Sequence, residues 1–156
     1  MLQMSIPGRE DLEIHYLLLD MNGTLTIDGL LPAGVKERIE FIKTKMEVFL
    51  LTADTFGTGA QVAEELGIEI FVVSSENGTK DKADYIAALE PQGVVAIGNG
   101  SNDAAMLELA SLAIAIIGRE GCSLAALRQA DIAVNDINDA LDLLINPLRL
   151  VATLRV

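Results

Sequence analysis

The sequence predicts an α/β fold, namely a three-layer, Rossmann-like parallel sheet with helices on both faces. Short apolar runs rich in Val, Ile and Leu alternate with longer segments in which apolar residues recur every three or four positions. This alternation is typical of parallel strands joined by helical crossovers. No linker or internal repeat interrupts it, so we expect residues 1–156 to form a single domain.

Six runs are predicted to be strands because they are short, apolar and bounded by turn residues. These strands lie at 14–19, 47–51, 68–73, 94–97, 113–117 and 132–134. The segments between them have helical period, as Val35, Ile39, Ile42 and Met46 illustrate. The predicted helices lie at 33–45, 57–66, 80–89, 101–110, 121–129 and 137–145. Each predicted strand is therefore followed by a helix.

One segment breaks the alternation, the stretch 25–31 directly after the first predicted strand. Asp28-Gly29 lies there between two short apolar stretches and predicts a tight hairpin, which would form a short flap. No segment is long enough to form a separate lid, so we expect no cap domain. The apolar stretch 146–156 is expected to pack, either on the core or on another subunit.

Composition excludes several classes of function. Eleven basic and 23 acidic residues give a net charge of −12, which opposes binding to nucleic acid and to anionic membranes. Apolar runs such as 112–117 are far too short to span a bilayer, and no basic segment leads into an apolar stretch at the N-terminus. We therefore expect a cytoplasmic protein. The single cysteine, Cys122, cannot form an internal disulfide and is interpreted as a small core residue.

Polar residues end the predicted strands, where open parallel sheets bind their ligands. Asp20 ends the first, Thr52 ends the second, and a loop from Gly98 to Asp103 follows the fourth, while Lys82 opens a helix. Such a set suits phosphoryl transfer, because a carboxylate can attack phosphorus while donors and cations neutralise the transferring group. Thr52, Lys82 and the backbone amides of residues 21–23 could supply that neutralisation. Mg²⁺ held by Asp20 and Asp103 would offset the repulsion between carboxylate and phosphate.

Three motifs carry a resemblance to a known family. Asp20-Met-Asn-Gly-Thr-Leu-Thr resembles the phosphorylation motif D-K-T-G-T-L-T of P-type ATPases, with five of seven positions matching. Leu51-Thr-Ala-Asp54 resembles the L-T-G-D segment, and Gly98-Asn-Gly-Ser-Asn-Asp-Ala104 resembles G-D-G-x-N-D-A. The chain thus resembles a capless member of the haloacid dehalogenase superfamily over roughly residues 14–146. With no transmembrane region and no nucleotide-binding insertion, it looks like a stand-alone relative of P-type ATPases, similar also to capless sugar-acid phosphate phosphatases.

The resemblance implies a role for each matching residue. Asp20 would be the nucleophile and a metal ligand, Thr52 would hold a phosphoryl oxygen, and Lys82 would neutralise both nucleophile and phosphate, with Lys80 as its alternative. The remaining implied metal ligands are the backbone carbonyl of Asn22, together with Asn99 and Asp103. The implied substrate-binding residues are Met21, Gly23, Thr24, Ala53 and Asn102. His15 is interpreted as structural.

Two positions depart from the family pattern. Phosphatases of the superfamily carry an Asp as general acid and base where this chain has Asn22, and an amide cannot exchange protons near neutral pH. Losing a positioned acid or base costs roughly 10²–10⁴-fold in rate. Asn99 stands where the metal-binding loop normally has Asp, which should weaken Mg²⁺ binding although an amide oxygen still coordinates a hard cation.

The leading hypothesis is a Mg²⁺-dependent phosphohydrolase or phosphotransfer protein that acts on a small phosphorylated metabolite through an aspartyl-phosphate at Asp20. An alternative is a binding or regulatory protein that kept this fold and lost turnover. A third is a phosphorylation-dependent receiver domain, although receivers carry the phosphorylated Asp on a later strand. Because a site without a cap gains shielding from water only from another chain, we also expect a homo-oligomer, a dimer or a tetramer.

Overall fold

The computed structural model describes residues 1–53, 57–89 and 91–156, and a six-stranded parallel sheet lies at its centre. In chain order its strands are β3 (Tyr16–Asp20), β4 (Glu47–Thr52), β5 (Glu69–Val72), β6 (Val94–Gly98), β7 (Leu112–Ile116) and β8 (Ile132–Val134). All six predicted strands are present, with ends within about two residues of the sequence pattern. The α/β fold class is confirmed.

Seven helices cover the sheet in the described residues. They are α1 (Val35–Ile42), α2 (Thr58–Leu66), α3 (Gly78–Ala88), α4 (Ala104–Leu109), α5 (Leu124–Gln129), α6 (Ile137–Ile145) and α7 (Pro147–Leu154). Helices α1, α2, α6 and α7 contribute to one apolar cluster and α3, α4 and α5 to another. Successive side chains of a strand point to opposite faces, so Leu17 and Leu19 join the first cluster and Leu18 joins the second. The three-layer arrangement predicted from the sequence follows from this alternation.

Sheet topology determines where a ligand can bind. The spatial order is β5-β4-β3-β6-β7-β8, which is order 3-2-1-4-5-6 when the parallel strands alone are counted. Receiver domains have the order 2-1-3-4-5 instead, so the receiver interpretation is wrong. The order reverses between β3 and β6, and doubly wound sheets bind ligands at such a switch point, beyond the carboxyl ends of the strands.

An antiparallel hairpin at the N-terminus was not predicted. Its strands are β1 (Leu2–Met4) and β2 (Leu12–Ile14), and Leu2 pairs with Ile14. The sequence predicted one strand from residue 14, but the chain leaves the hairpin at Ile14 and enters the central sheet only at Tyr16. His15 lies between the two strands, outside the predicted site, and its backbone N–H donates to the Gly93 carbonyl. A strand of three residues is too short for its alternation of apolar and polar side chains to be recognised in the sequence.

The predicted flap is present as a two-residue turn. Ile27 and Leu30 exchange both backbone hydrogen bonds at 3.0 Å, and Asp28 and Gly29 between them have positive φ angles of 52° and 78°. Among the described residues between β3 and β4, regular structure beyond single turns is confined to this flap, an isolated bridge between Asn22 and Thr26, and α1.

The C-terminal stretch forms helix α7, which begins at Pro147 and buries Leu150 and Leu154. It packs against α6 and so returns to the core of its own chain. No helix within the described ranges is long and apolar enough to cross a membrane.

Candidate active site

Three strand ends bring the predicted residues together. Asp20 is the last residue of β3 and Thr52 the last of β4, while Asn99 directly follows β6. Because β3 pairs in parallel with both other strands, these side chains lie at one edge of the sheet. All three are buried.

Lys82 joins the two carboxylates of the site. Its Nζ donates to Asp20 Oδ1 at 2.7 Å and to Asp103 Oδ1 at 2.6 Å, and the lysine is fully buried within α3. Lys80 instead points into solvent and pairs with Asp84 one helical turn away. The structure therefore places Lys82, and not Lys80, against Asp20.

The charged groups of this cluster shift the pKa values of Asp20 and Lys82. Burial and the neighbouring Asp103 raise the pKa of Asp20 to about 6, against the opposing effects of Lys82 and Thr24. Burial opposes the charge of Lys82, but attraction to Asp20 and Asp103 and hydrogen bonds with both outweigh it, so the lysine pKa is raised. Lys82 is consequently an ammonium at neutral pH, and it favours the ionised form of Asp20.

Asp103 is held by donors on both carboxylate oxygens. Its Oδ2 accepts from the backbone N–H groups of Asn99 at 3.1 Å and Gly100 at 2.9 Å, while Oδ1 accepts from Lys82. A Cβ at position 98 would lie 2.7 Å from this carboxylate, so only glycine allows the approach. The arrangement positions Lys82. Metal ligation by Asp103 stays a prediction, and it would have to use the remaining lone pair of Oδ1.

Asn99 connects the loop after β6 to two other loops. Its Oδ1 accepts a hydrogen bond from Thr24 Oγ1 at 3.1 Å, and its Nδ2 donates to the Gly121 carbonyl at 3.0 Å. Gly23 has a φ of 75°, and a Cβ there would lie 2.4 Å from Asn99 Nδ2. Glycine at position 23 is therefore needed both for the turn and for this close contact.

The loop after Asp20 uses part of its backbone internally. Gly23 N–H donates to Thr26 O at 2.9 Å, while Thr24 N–H and Thr26 N–H both donate to Met21 O. Of the amides at 21–23 that were expected to meet phosphate, that of Gly23 is thus already engaged. The Asn22 side chain is exposed.

The other expected substrate-binding residues lie around this edge. Asn102 is exposed, with its amide close to Gly100. Ala53 follows β4 directly, whereas Asp54 of the second motif lies outside the described residues.

The residues present fit a hard divalent cation in kind. Carboxylate, amide and carbonyl oxygens are its preferred ligands, and Mg²⁺ needs only one or two carboxylates besides phosphate and water. Asp20, Asp103, Asn99 and the Asn22 carbonyl supply such oxygens. In the described part of the chain, no group of three or more His, Cys, Asp or Glu side chains forms a metal site, so any cation would depend on this sparser set.

The sequence interpretation missed the loop after β7. Glu120 lies beside Gly23, and its Oε2 accepts from the Asp28 backbone N–H of the flap at 3.2 Å. The backbone carbonyl of Gly121 accepts the hydrogen bond from the Asn99 side-chain amide. The rule that strand ends bear ligands could have found this loop, because it follows a parallel strand as the others do.

Two proteins of Methanocaldococcus jannaschii are similar to this chain in sequence. No protein-family model matches the chain. A soluble P-type ATPase-like phosphatase of Methanocaldococcus jannaschii is 28% identical over 151 residues, which cover 90% of this chain and 55% of that protein. An uncharacterized protein of the same organism is 53% identical over 62 residues, covering 40% of this chain and 67% of the relative. The chain thus spans about half the length of the phosphatase relative.

Solved structures share the fold. A cobalt-bound deoxy-D-mannose-octulosonate 8-phosphate phosphatase from Haemophilus influenzae has a TM-score of 0.70 at 14% identity, covering 86% of this chain and 88% of the other. A 3-deoxy-D-manno-octulosonate 8-phosphate phosphatase from Moraxella catarrhalis, in complex with magnesium and phosphate ions, has a TM-score of 0.66 at 15% identity, covering 85% and 86%. At such identities the likeness concerns the fold.

Proposed function

We propose that this chain is a phosphohydrolase of the haloacid dehalogenase type that acts through an aspartyl-phosphate at Asp20, and its fold and its similarity to a soluble P-type ATPase-like phosphatase support the proposal. The observation that carries the proposal is the buried Asp20–Lys82–Asp103 cluster, with Lys82 Nζ 2.7 Å from Asp20 Oδ1. A buried lysine that bridges two carboxylates keeps one of them ionised at neutral pH in spite of its burial. The proposed substrate is a small phosphorylated metabolite.

The proposed reaction has two steps. In the first, a carboxylate oxygen of Asp20 attacks phosphorus, the bond from phosphorus to the leaving oxygen breaks, and the leaving oxygen takes a proton from water. In the second, water attacks the phosphorus of the acyl phosphate, the bond to Asp20 breaks, and inorganic phosphate is released. Splitting the displacement in this way replaces one difficult step by two easier ones.

The residues around Asp20 are proposed to neutralise charge during both steps. The Thr52 hydroxyl, at the end of the neighbouring strand, donates to a phosphoryl oxygen, and Lys82 balances the negative charge of nucleophile and phosphate. Mg²⁺, when bound, would be held by Asp20, the Asn22 carbonyl, Asn99 and Asp103, and would add positive charge beside the phosphoryl group.

Asn22 determines which substrates are turned over best. An amide cannot protonate the leaving oxygen, so esters whose leaving group departs as an anion are expected to react fastest. Acyl phosphates and para-nitrophenyl phosphate should therefore exceed alkyl phosphates. The same observation favours a second candidate function, a binding or regulatory protein that forms the complex and releases no phosphate.

Trapping the phosphoenzyme tests the proposal. The protein is incubated with para-nitrophenyl phosphate and Mg²⁺, quenched in acid, and its peptides are analysed by mass spectrometry for an added phosphoryl group. We expect the label on the peptide containing Asp20, its loss in Asp20→Asn, and its persistence in Asp84→Asn, which removes an exposed carboxylate of α3. A label on another peptide contradicts the assignment, while beryllofluoride binding without any phosphate release favours the second candidate.

A further inference from the structure

A crevice with a volume of about 580 Å³ opens beside the nucleophile loop. The flap forms one wall, and the loops after β7 and β8 form the others. Gly23 and Thr24 line the crevice, and Thr24 lies near enough to Asp20 to lower the pKa of that carboxyl. A group attached to a phosphate at Asp20 therefore has this space available to it.

Carboxylates outnumber cations in the polar lining of the crevice. Asp28, Glu120 and Asp136 bring three carboxylates, and among the described lining residues Arg119 is the one cation. Glu120 and Asp28 are exposed. The resulting negative charge repels anionic groups and attracts donors and cations.

Asn138, at the start of α6, also lines the crevice. Its Nδ2 donates to the Ala33 carbonyl at 2.9 Å, while its Oδ1 is buried and has no hydrogen-bond partner within the described residues. A buried acceptor without a donor is destabilising. Because this oxygen is buried, a donor on a ligand could bind it only after the Asn138 side chain turns toward the crevice.

We propose that this crevice receives the leaving group of the substrate and, among alkyl phosphates, selects one that donates hydrogen bonds and bears no negative charge, as in the phosphate esters of polyols and amino alcohols. The inference rests on the proposed hydrolase function and adds the substrate class. Acceptors on three walls match hydroxyl or ammonium donors, whereas a carboxylate or a second phosphate would meet like charge.

A matched pair of esters tests the selection. Glycerol 1-phosphate and 3-phosphoglycerate both carry phosphate on a terminal carbon, and they differ in having a hydroxymethyl group or a carboxylate at the other end. We expect kcat/KM to be higher for glycerol 1-phosphate by roughly 10-fold, the effect of one or two unfavourable charge contacts near a surface. O-phosphoethanolamine, with an ammonium group, should behave like glycerol 1-phosphate.

Variants separate charge from shape. Glu120→Gln combined with Asp28→Asn removes two carboxylates, but the glutamine oxygen still accepts from the flap N–H, and asparagine tolerates the positive φ at position 28. The double variant should lose most of the preference because 3-phosphoglycerate improves. Glu64→Gln with Glu65→Gln changes the net charge equally at the far end of α2 and should keep the preference.

Binding measurements distinguish failure of this inference from failure of the proposed function. In folded Asp20→Asn, the side-chain amide resonances of Asn138 should shift on adding glycerol 1-phosphate and far less on adding 3-phosphoglycerate. If the wild type releases no phosphate while this difference persists, the hydrolase proposal fails and the crevice assignment stands. Equal turnover or equal binding of the two esters, or a preference unchanged in the Glu120→Gln and Asp28→Asn variant, overturns the inference even if para-nitrophenyl phosphate is hydrolysed.

Discussion

Lys82 is the residue on which the charge balance of the site depends. It is the cation between Asp20 and Asp103, and its side chain is 1% exposed. Lys82→Met should abolish phosphoenzyme formation and lower the free energy of unfolding by about 3–5 kcal/mol, because it leaves buried carboxylates uncompensated. Lys80→Met, which removes an exposed cation of the same helix, should change neither. Urea unfolding and the labelling experiment measure the two effects, and a fully labelled Lys82→Met protein would contradict the assigned role.

Asn22 is expected to limit the rate of hydrolysis. Asn22→Asp should raise phosphate release from alkyl phosphates by roughly 10²-fold or more, since it restores a proton donor where the family has one. The side chain is exposed, so the change should not disturb folding. Asn77→Asp, an exposed amide before α3, is the matched control. If Asn22→Asp remains folded and no faster than the parent, proton transfer is not limiting, and the binding function becomes the better interpretation.

Both Asn-Gly pairs of the site should resist deamidation. That reaction needs the glycine nitrogen to attack the asparagine side chain, but Gly23 N–H is bound to Thr26 O and Gly100 N–H to Asp103 Oδ2, each at 2.9 Å. We expect peptide mass spectrometry to find intact amides at Asn22 and Asn99 in stored folded protein and acids only after storage in denaturant. Activity that grows with storage, together with Asn22 deamidation, would show that the loop opens.

At the scale of elements, an ion pair clamps α1 to α6. Arg38 Nε donates to Asp142 Oδ1 at 2.8 Å and Nη2 to Oδ2 at 3.0 Å. The hydrogen bond from Arg38, opposed by burial, holds the pKa of Asp142 below its ordinary value. A lowered folded-state pKa contributes stability above the ordinary pKa of the carboxyl, and this contribution is lost as pH falls through the folded-state value.

Asp142→Asn should therefore lower the free energy of unfolding at pH 7, and the difference from the wild type should vanish in acid below the carboxyl pKa. Urea unfolding at both pH values measures it. Asp11→Asn, an exposed carboxylate before β2, should show no such difference. A deficit that is equally large in acid would mean that Asp142 stabilises through packing and not through its charge.

Helices and strands were predicted correctly where apolar residues recur regularly over a long enough segment. Helix α6 begins and ends where the sequence placed it, at 137 and 145. The segment 101–110 was predicted as one helix but begins with a 3₁₀ turn before α4. There Asp103 turns its carboxylate back to the Asn99 and Gly100 N–H groups, and that tertiary demand competes with regular helix geometry.

At the scale of the whole molecule, association remains a prediction. The C-terminal stretch packs on its own core, so it no longer argues for a partner chain. Leu30 on the flap is 73% exposed beside the crevice, and Leu148 on α7 is 81% exposed. We expect a dimer or a tetramer in light scattering, shifted toward monomer by Leu30→Ser more than by Leu148→Ser. A monomer at high micromolar concentration would contradict this prediction.

The sequence by itself determined the fold class and most of the residues that meet at the candidate site. Period and strand-end position are local properties, and the edge of a parallel sheet brings Asp20, Thr52 and the loop after β6 together once the strands are identified. The tertiary structure alone decided the choice of Lys82 over Lys80, the tethering of Asp103, and the place of Glu120 against the flap. These depend on which face of a helix is buried and on how loops distant in sequence meet, and distances across the fold are set by packing that no local pattern encodes.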